Sequence, residues 1–212
     1  LLIFIFMKYL ISFIGTAFLL ISCAQKSSKK LHENAIKDFQ YKLNVEYSDK
    51  KTSPLTDDDF KTFKSLDYFK INPTYKVTAT LIYIYDAPIF KMQTTTDRLP
   101  LYKTYAIAKF ELKGKTLEIP IYQSQELMTD PQYQDYLFMP FKDLTNGKES
   151  YSGGRFLDLR LPTDGAKTMV IDFNEAYNPY CAYNHKYSCP IPPDANVLDV
   201  EIPAGVMAFK GH

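Results

Sequence analysis

The chain has 212 residues, 46% of them hydrophobic, and a formal net charge of +1. That is enough apolar material for one substantial core, and no basic excess of the kind that holds a nucleic-acid backbone, so nucleic acid is excluded as the expected partner. Trp is absent while Tyr (17) and Phe (15) are abundant, a composition suited to strands and to amphipathic pocket walls.

The chain begins with a segment that reads as a leader rather than as part of a fold. From Leu1 to Ser22 the only charged side chain is Lys8, and Met7-Lys8 precedes an apolar run from Tyr9 to Ile21. Such a run has signal-peptide length and is short for a membrane span. Counted from Leu1 the stretch could just cross a bilayer as an uncleaved anchor, but Leu20-Ile21-Ser22-Cys23 resembles the lipobox of bacterial lipoproteins. In a lipobox the small residue before the cysteine lets a peptidase reach the bond, and the thiol carries the lipid. Residues 1–22 are therefore expected to be a signal peptide, with Leu1 to Phe6 an over-extended start before Met7. Cys23 is the expected lipidation site, and 23–30 a polar, flexible tether. Ala24 is not the aspartate that resembles an inner-membrane retention signal, and no acidic run follows Cys23. The expected location is the bacterial envelope, lipid-anchored and periplasm-facing, in the outer membrane.

The rest reads as one domain, with a helical segment over 31–73 and a β-rich body over 74–212. Leu31, Ala35, Ile36, Phe39 and Leu43 recur at helical spacing and predict an amphipathic helix from Lys30 to about Glu46. After Ser53-Pro54, Thr56 with Asp59 three residues on predicts a capped second helix burying Phe60, Phe63 and Leu66 and ending before Asn72-Pro73. Alternation from Tyr75 to Tyr85 predicts a half-buried strand. Tyr105 to Leu112 and Thr116 to Tyr122 flank Lys113-Gly114 and predict a tight hairpin, with Pro120 placing its second strand at an edge or a bulge. Leu137 to Phe141 predicts a short strand and Asn146-Gly147 a turn. Phe156 to Leu161 and Thr168 to Phe173 predict a further hairpin around Pro162 to Gly165, and Leu198 to Ile202 a closing strand. Short strands at this density predict a mainly β fold: an antiparallel sandwich or partly open barrel with the N-terminal helices packed at one end.

No Gly-rich phosphate loop, paired zinc-binding His or nucleophilic Ser elbow is present, and no cofactor is implied. The most informative stretch runs from Gly153 to Pro193, GGRFLDLRLPTDGAKTMVIDFNEAYNPYCAYNHKYSCPIPP, with LDYFKINPTYKV and LFMPFKDLTNGKESY upstream. Over about Leu31 to Gly205 these segments resemble the family called domain of unknown function 1684. The resemblance implies no established activity or ligand. Where that family's pattern usually has Glu after the last Ala-Gly, this chain has Val206.

Chemistry-bearing residues concentrate between Arg155 and Cys189. Asn174, Tyr177, Asn178, Tyr180, Tyr183, Asn184 and Tyr187 offer donors, acceptors and ring faces able to stack on a sugar or heterocycle; the alternative is a loop scaffolded by Asn turns and packed Tyr. Cys181 and Cys189 read as a disulfide in an oxidising compartment, as two buried thiols, or, with His185, as a weak metal site lacking a fourth ligand. In the predicted hairpin around Pro162 to Gly165, an even register sets Asp158 opposite Asp172, a repelling pair needing Arg155, a metal or a shared proton between them. A slip of one residue separates the two, leaving Asp172 to cap the next turn and Asp158 to pair with an exposed cation. The leading expectation is a lipid-anchored, periplasm-facing binding or accessory domain of unknown ligand, a small molecule or an envelope protein, its site, if it has one, lined by Arg155, Asp158, Asp172, Asn174, Asn178, Tyr180 and Tyr183. A hydrolase-like enzyme using paired Asp or Cys, and a scaffold for another envelope protein, are the alternatives.

Overall fold

A computed structural model describes residues 27–163 and 165–211. The expected signal peptide and the lipidation site Cys23 lie outside these residues. The first helix, α1, runs over 27–48, so the described part of the expected tether, 27–30, is helical. The described residues divide into two units, with the boundary between Phe39 and Gln40, inside α1. In the first unit Ile36 is buried while Leu31 and Ala35 are exposed, a narrower stripe than the spacing predicts. In the second, Tyr47 at the end of α1 is fully buried in a cluster with Leu55, Leu66, Tyr183 and Val206. Among the described residues no helix is long and apolar enough to cross a membrane.

The second helix, α2 (Asp57–Thr62), starts as expected. The Thr56 hydroxyl accepts from Asp59 N at 3.1 Å and donates to Asp59 Oδ2 at 2.6 Å, while three acidic residues occupy the positive end of the helix. It is shorter than expected, because Phe63 is already extended. Phe63 and Leu66 therefore reach the Tyr47 cluster from an extended segment that Asn44 holds, its Oδ1 accepting from Leu66 N at 2.8 Å.

Seven antiparallel strands follow: β1 (Lys76–Tyr83), β2 (Ile89–Lys91), β3 (Leu101–Leu112), β4 (Lys115–Ser124), β5 (Tyr136–Phe141), β6 (Arg155–Arg160) and β7 (Thr168–Asp172). They form one curled half-barrel sheet in the order β6-β5-β4-β3-β1-β7, with β2 also on β3. The fold is mainly antiparallel β, as expected. Lys113 (φ 51°) and Gly114 (φ 75°) make the β3–β4 turn, both in the left-handed region that a two-residue hairpin of this hand requires.

Two corrections concern strand order. β6 and β7 do not form a hairpin: they lie at opposite ends of the sheet path, joined by residues 161–167. Sequence adjacency and a Pro-Gly turn signal cannot tell a hairpin from a connection that carries the chain between the two edges of a curled sheet. Pro120 lies in an interior strand, not at an edge. The β4–β5 ladder is reduced to Tyr122↔Phe138, and the buried Asn196 replaces the missing pairing, donating from Nδ2 to Pro120 O at 2.9 Å and to Pro140 O at 2.8 Å. The predicted closing strand is an irregular segment instead. It still buries Leu198, Val200 and Ile202 by alternation, and bonds residues 142–144 through Leu198 N to Lys142 O at 2.8 Å and Leu144 N to Val200 O at 3.0 Å.

A bulge sets the two faces of the sheet. Thr104 pairs with Tyr122 but Ala106 pairs with Ile121, so Tyr105 is an extra residue and the alternation of β3 changes phase there. Beyond the bulge Ala106, Ala108, Phe110 and Leu112 face the main core with Ile119, Ile121, Leu137, Met139, Leu157 and Ile171. Before it Tyr102 joins a second apolar cluster, with Met92, Tyr122, Phe138 and Phe156. Strand pairing thus gives the sheet a core face and an aromatic face.

Candidate functional site

The expected site residues do not converge on one cavity. Arg155, at the start of β6, is fully buried: its Nη2 meets Asp143 Oδ2 at 2.6 Å and Ile202 O at 2.8 Å, and Nη1 donates to Ala204 O. Its guanidinium lies 5.7 Å from the Phe69 ring centre and 5.2 Å from that of Phe141. Burial pulls its pKa below the usual arginine value, and the Asp143 charge opposes that pull. This is a clamp on the C-terminal segment, with no open side for a ligand.

Asp172 ends β7 and accepts from Asn174 N at 3.1 Å and Asn174 Nδ2 at 2.8 Å, capping the turn at 173–175; Lys76 Nζ lies 3.9 Å away. Asn174 in turn holds residue 72 on both sides, accepting from Asn72 N at 2.9 Å and donating to Asn72 O at 3.0 Å. Asn178 donates to Met207 O at 2.8 Å and to the Tyr183 hydroxyl at 3.3 Å. Tyr183 is fully buried, its ring 4.9 Å from Tyr47 and 5.0 Å from Phe209. These four side chains hold loops in place. The paired carboxylates are overturned with the hairpin: Asp158 pairs across to Phe138 and Asp172 to Lys76, on strands at opposite ends of the sheet path.

Asp158 is different. It is exposed on β6, and its Oδ1 accepts two phenol hydrogen bonds, from Tyr136 at 2.8 Å and Tyr177 at 2.6 Å, while Oδ2 accepts none among the described residues. The expected cation is replaced by two tyrosines. Tyr177 is placed by a backbone bridge to the free edge of β6, Phe156 N to Tyr177 O at 2.9 Å and the reverse bond at 3.0 Å. Tyr136, on β5, sits one step along the aromatic face from Phe138. Burial first, and the Asp158 charge second, push both hydroxyls well above the usual tyrosine value, so both stay protonated donors. Burial first, and the Glu46 carboxylate to which its hydroxyl donates second, push Tyr180 up, and burial pushes Tyr102 up to about 12; the Asp158 charge adds a minor part at both.

Beside this carboxylate runs a connected series of rings. Phe90 meets Tyr122 at 5.4 Å, Tyr102 meets Phe138 at 5.7 Å, Phe138 meets Phe156 at 4.8 Å and Phe156 meets Tyr177 at 6.0 Å. Sequence reasoning reached Asp158, Tyr177 and Tyr180 but missed Tyr102 and Tyr136. Tyr136 could have been found from its place two residues before Phe138 on one strand face; Tyr102 could not, because the bulge hides its phase.

A family model described as "Protein of unknown function (DUF1684)" matches residues 61–207. The chain belongs to this family. In this DUF1684 member the matched region holds Tyr102, Tyr136, Asp158, Tyr177 and Tyr180, together with the Arg155 clamp; α1 lies before it. The chain is similar to an uncharacterised protein of Haloarcula marismortui, whose solution NMR structure is 29% identical over 88% of this chain and 99% of that one, with a TM-score of 0.68. No curated protein matches the chain. Val206, where the DUF1684 pattern leads one to expect Glu, is buried in the Tyr47 cluster and donates its N–H to Ala176 O at 2.8 Å. Gly205 before it has φ 80°, and a side chain there would strike the Ala176 carbonyl, which fixes glycine at this crossing.

Proposed function

We propose that this chain is a lipid-anchored binding domain that receives a small polar molecule at Asp158. The observation that carries the reading is the convergence of two tyrosine hydroxyls on one oxygen of an exposed carboxylate, at the margin of a buried aromatic cluster. The two phenols fix the carboxylate and occupy Oδ1 only. Oδ2 then takes a hydrogen bond from the ligand, a hydroxyl or a protonated amine, while an apolar or ring face of the ligand lies on tyrosine. Two phenols that stay protonated beside one carboxylate suit a ligand held by hydrogen bonds, which supports binding as the reading. The anchoring part of the proposal is supported by the lipobox-like Leu20-Ile21-Ser22-Cys23, which fits a domain in the envelope facing the periplasm.

The test is a thermal-shift screen of the purified chain against sugars, amines and hydroxylated heterocycles. Stabilising compounds lose their effect in Asp158→Asn and weaken in Tyr177→Phe. Stabilisation that survives Asp158→Asn unchanged places the ligand elsewhere. Intact mass of the membrane-extracted protein checks the anchor: an unmodified Cys23, or a retained leader, removes that part.

A further inference from the structure

Cys181 and Cys189 lie outside the Asp158 cluster, and neither fold nor proposed binding uses their chemistry. Both are free and 5% exposed, and Cys181 N donates to Cys189 Sγ at 3.0 Å. Two elements bring them together. Pro179 starts the 3-10 turn Tyr180–Ala182 that carries Cys181, and the stretch around Cys189 runs against residues 93–95. There Thr95 N bonds Cys189 O at 2.9 Å, Ile191 N bonds Gln93 O at 2.9 Å, and Cys189 N bonds Thr95 Oγ1 at 3.1 Å. The alternative use of these thiols, a metal site with His185, finds no support in the geometry: among the described residues no three such side chains gather to hold an ion.

We infer that Cys181 and Cys189 are a redox pair that closes to an internal disulfide, clamping the 181–189 loop. A small disulfide, such as glutathione disulfide, is the oxidant. The Cys181 thiolate attacks one of its sulfurs, forming a mixed disulfide and releasing the first thiol. Cys189, deprotonated, then attacks Cys181 Sγ, and the second thiol leaves. Two protein S–H bonds become one S–S bond, the oxidant is reduced to two thiols, and these carry away both protons. The attacking role falls to Cys181 because the Cys189 thiol hydrogen-bonds it and draws it below the ordinary thiol range, whereas Cys189 is pushed up. The Tyr151 hydroxyl, 4.0 Å from Cys181 Sγ, assists. The loop so closed holds Tyr183, whose ring packs on Tyr47, and Tyr187, whose ring packs on Tyr180. Oxidation therefore stiffens the arm that carries Tyr180.

The experiment uses the full chain with Cys23→Ser, so that the pair is the whole thiol content, equilibrated with reduced or oxidised glutathione. After denaturation and alkylation, the oxidised sample is expected to take up no label and to give a linked peptide joining Cys181 to Cys189. It melts about 5 to 10 °C above the reduced sample, the shift a short closed loop gives in a domain of this size. Both thiols labelling after oxidation, or links only between chains, overturns the pair. A linked peptide with an unchanged melting temperature overturns the clamp. Both readouts compare one polypeptide in two redox states, so a variant that fails to fold does not obscure them.

Discussion

Replacing Arg155 with Met removes a buried cation while keeping an apolar stem of similar length. In the parent chain Arg155 and Asp143 both have side chains with no exposure. The guanidinium bonds the Asp143 carboxylate and the carbonyls of Ile202 and Ala204. Removing one member of such a pair leaves the other charge uncompensated, a loss of about 3 to 5 kcal/mol. Asp143 keeps two backbone donors on its Oδ1, Thr145 N at 2.8 Å and Ile202 N at 3.1 Å, which places Arg155→Met near the lower end, about 3 kcal/mol. That corresponds to a melting temperature lower by about 6 to 12 °C for a domain of this size. In urea, with a slope of about 2 to 3 kcal/mol/M, the midpoint falls by about 1 to 1.5 M. Adding Asp143→Asn recovers part of the loss, since the stranded charge is gone while an oxygen acceptor remains. Urea unfolding of the parent, single and double variants, with hydrogen exchange at the Ile202 amide, measures all of this. A single variant within 1 kcal/mol of the parent, or a double no better than the single, refutes the argument that this pair secures the C-terminal segment.

Asn196→Ala strips two strand carbonyls of their donor and leaves the Tyr122 hydroxyl, which donates to Asn196 Oδ1 at 2.6 Å, without its acceptor. At about 1 to 3 kcal/mol for each buried group left unsatisfied, the expected loss is about 3 kcal/mol or more by urea unfolding, and a loss under 1 kcal/mol counts against the bridging role. Burial pushes the hydroxyls of Tyr102, Tyr122 and Tyr183 from 10.0 up to about 12. The folded chain holds protons that the unfolded chain releases, so this contribution to stability is complete below pH 10 and disappears as pH rises towards 12. The part of the tyrosinate absorbance that these buried residues contribute is expected to appear only with loss of near-ultraviolet dichroism; their reversible ionisation near pH 10 in the native fold, resolved by residue-specific NMR, contradicts it.

Much of the architecture was legible in local residue patterns. Lys113-Gly114 and Thr56-Asp59 act through their own backbone geometry, so their turn and cap are readable without knowing what surrounds them. The β6–β7 connection was not, because adjacency in the chain is silent about which edge of a sheet a strand joins. Nor was the bulge at Tyr105, which moves Tyr102 to the opposite face from the one its even spacing with Ala106 implies. Among the site residues, the polarity of the 172–183 stretch goes into holding loops, a use that polarity in a sequence does not distinguish from ligand binding. Asp172, Asn174 and Asn178 spend their hydrogen bonds on nearby backbone and on each other or Tyr183, and Arg155 spends its own on two C-terminal carbonyls and on Asp143, a partner twelve residues upstream that nothing in the local pattern identifies. Asp158 became distinctive only when β5, β6 and the bridge at Tyr177 set two phenols against it.

The main core receives Leu198, Val200, Ile202 and Ala204 from a segment that follows every strand of the sheet in the chain, and Asp143 with Arg155 locks that segment down. Until those residues emerge, the strands made earlier have an apolar face with nothing against it, and the guanidinium has no carbonyls to receive it. The sheet therefore has no finished core until residues 198–204 join it, so the strands cannot complete the domain by pairing alone.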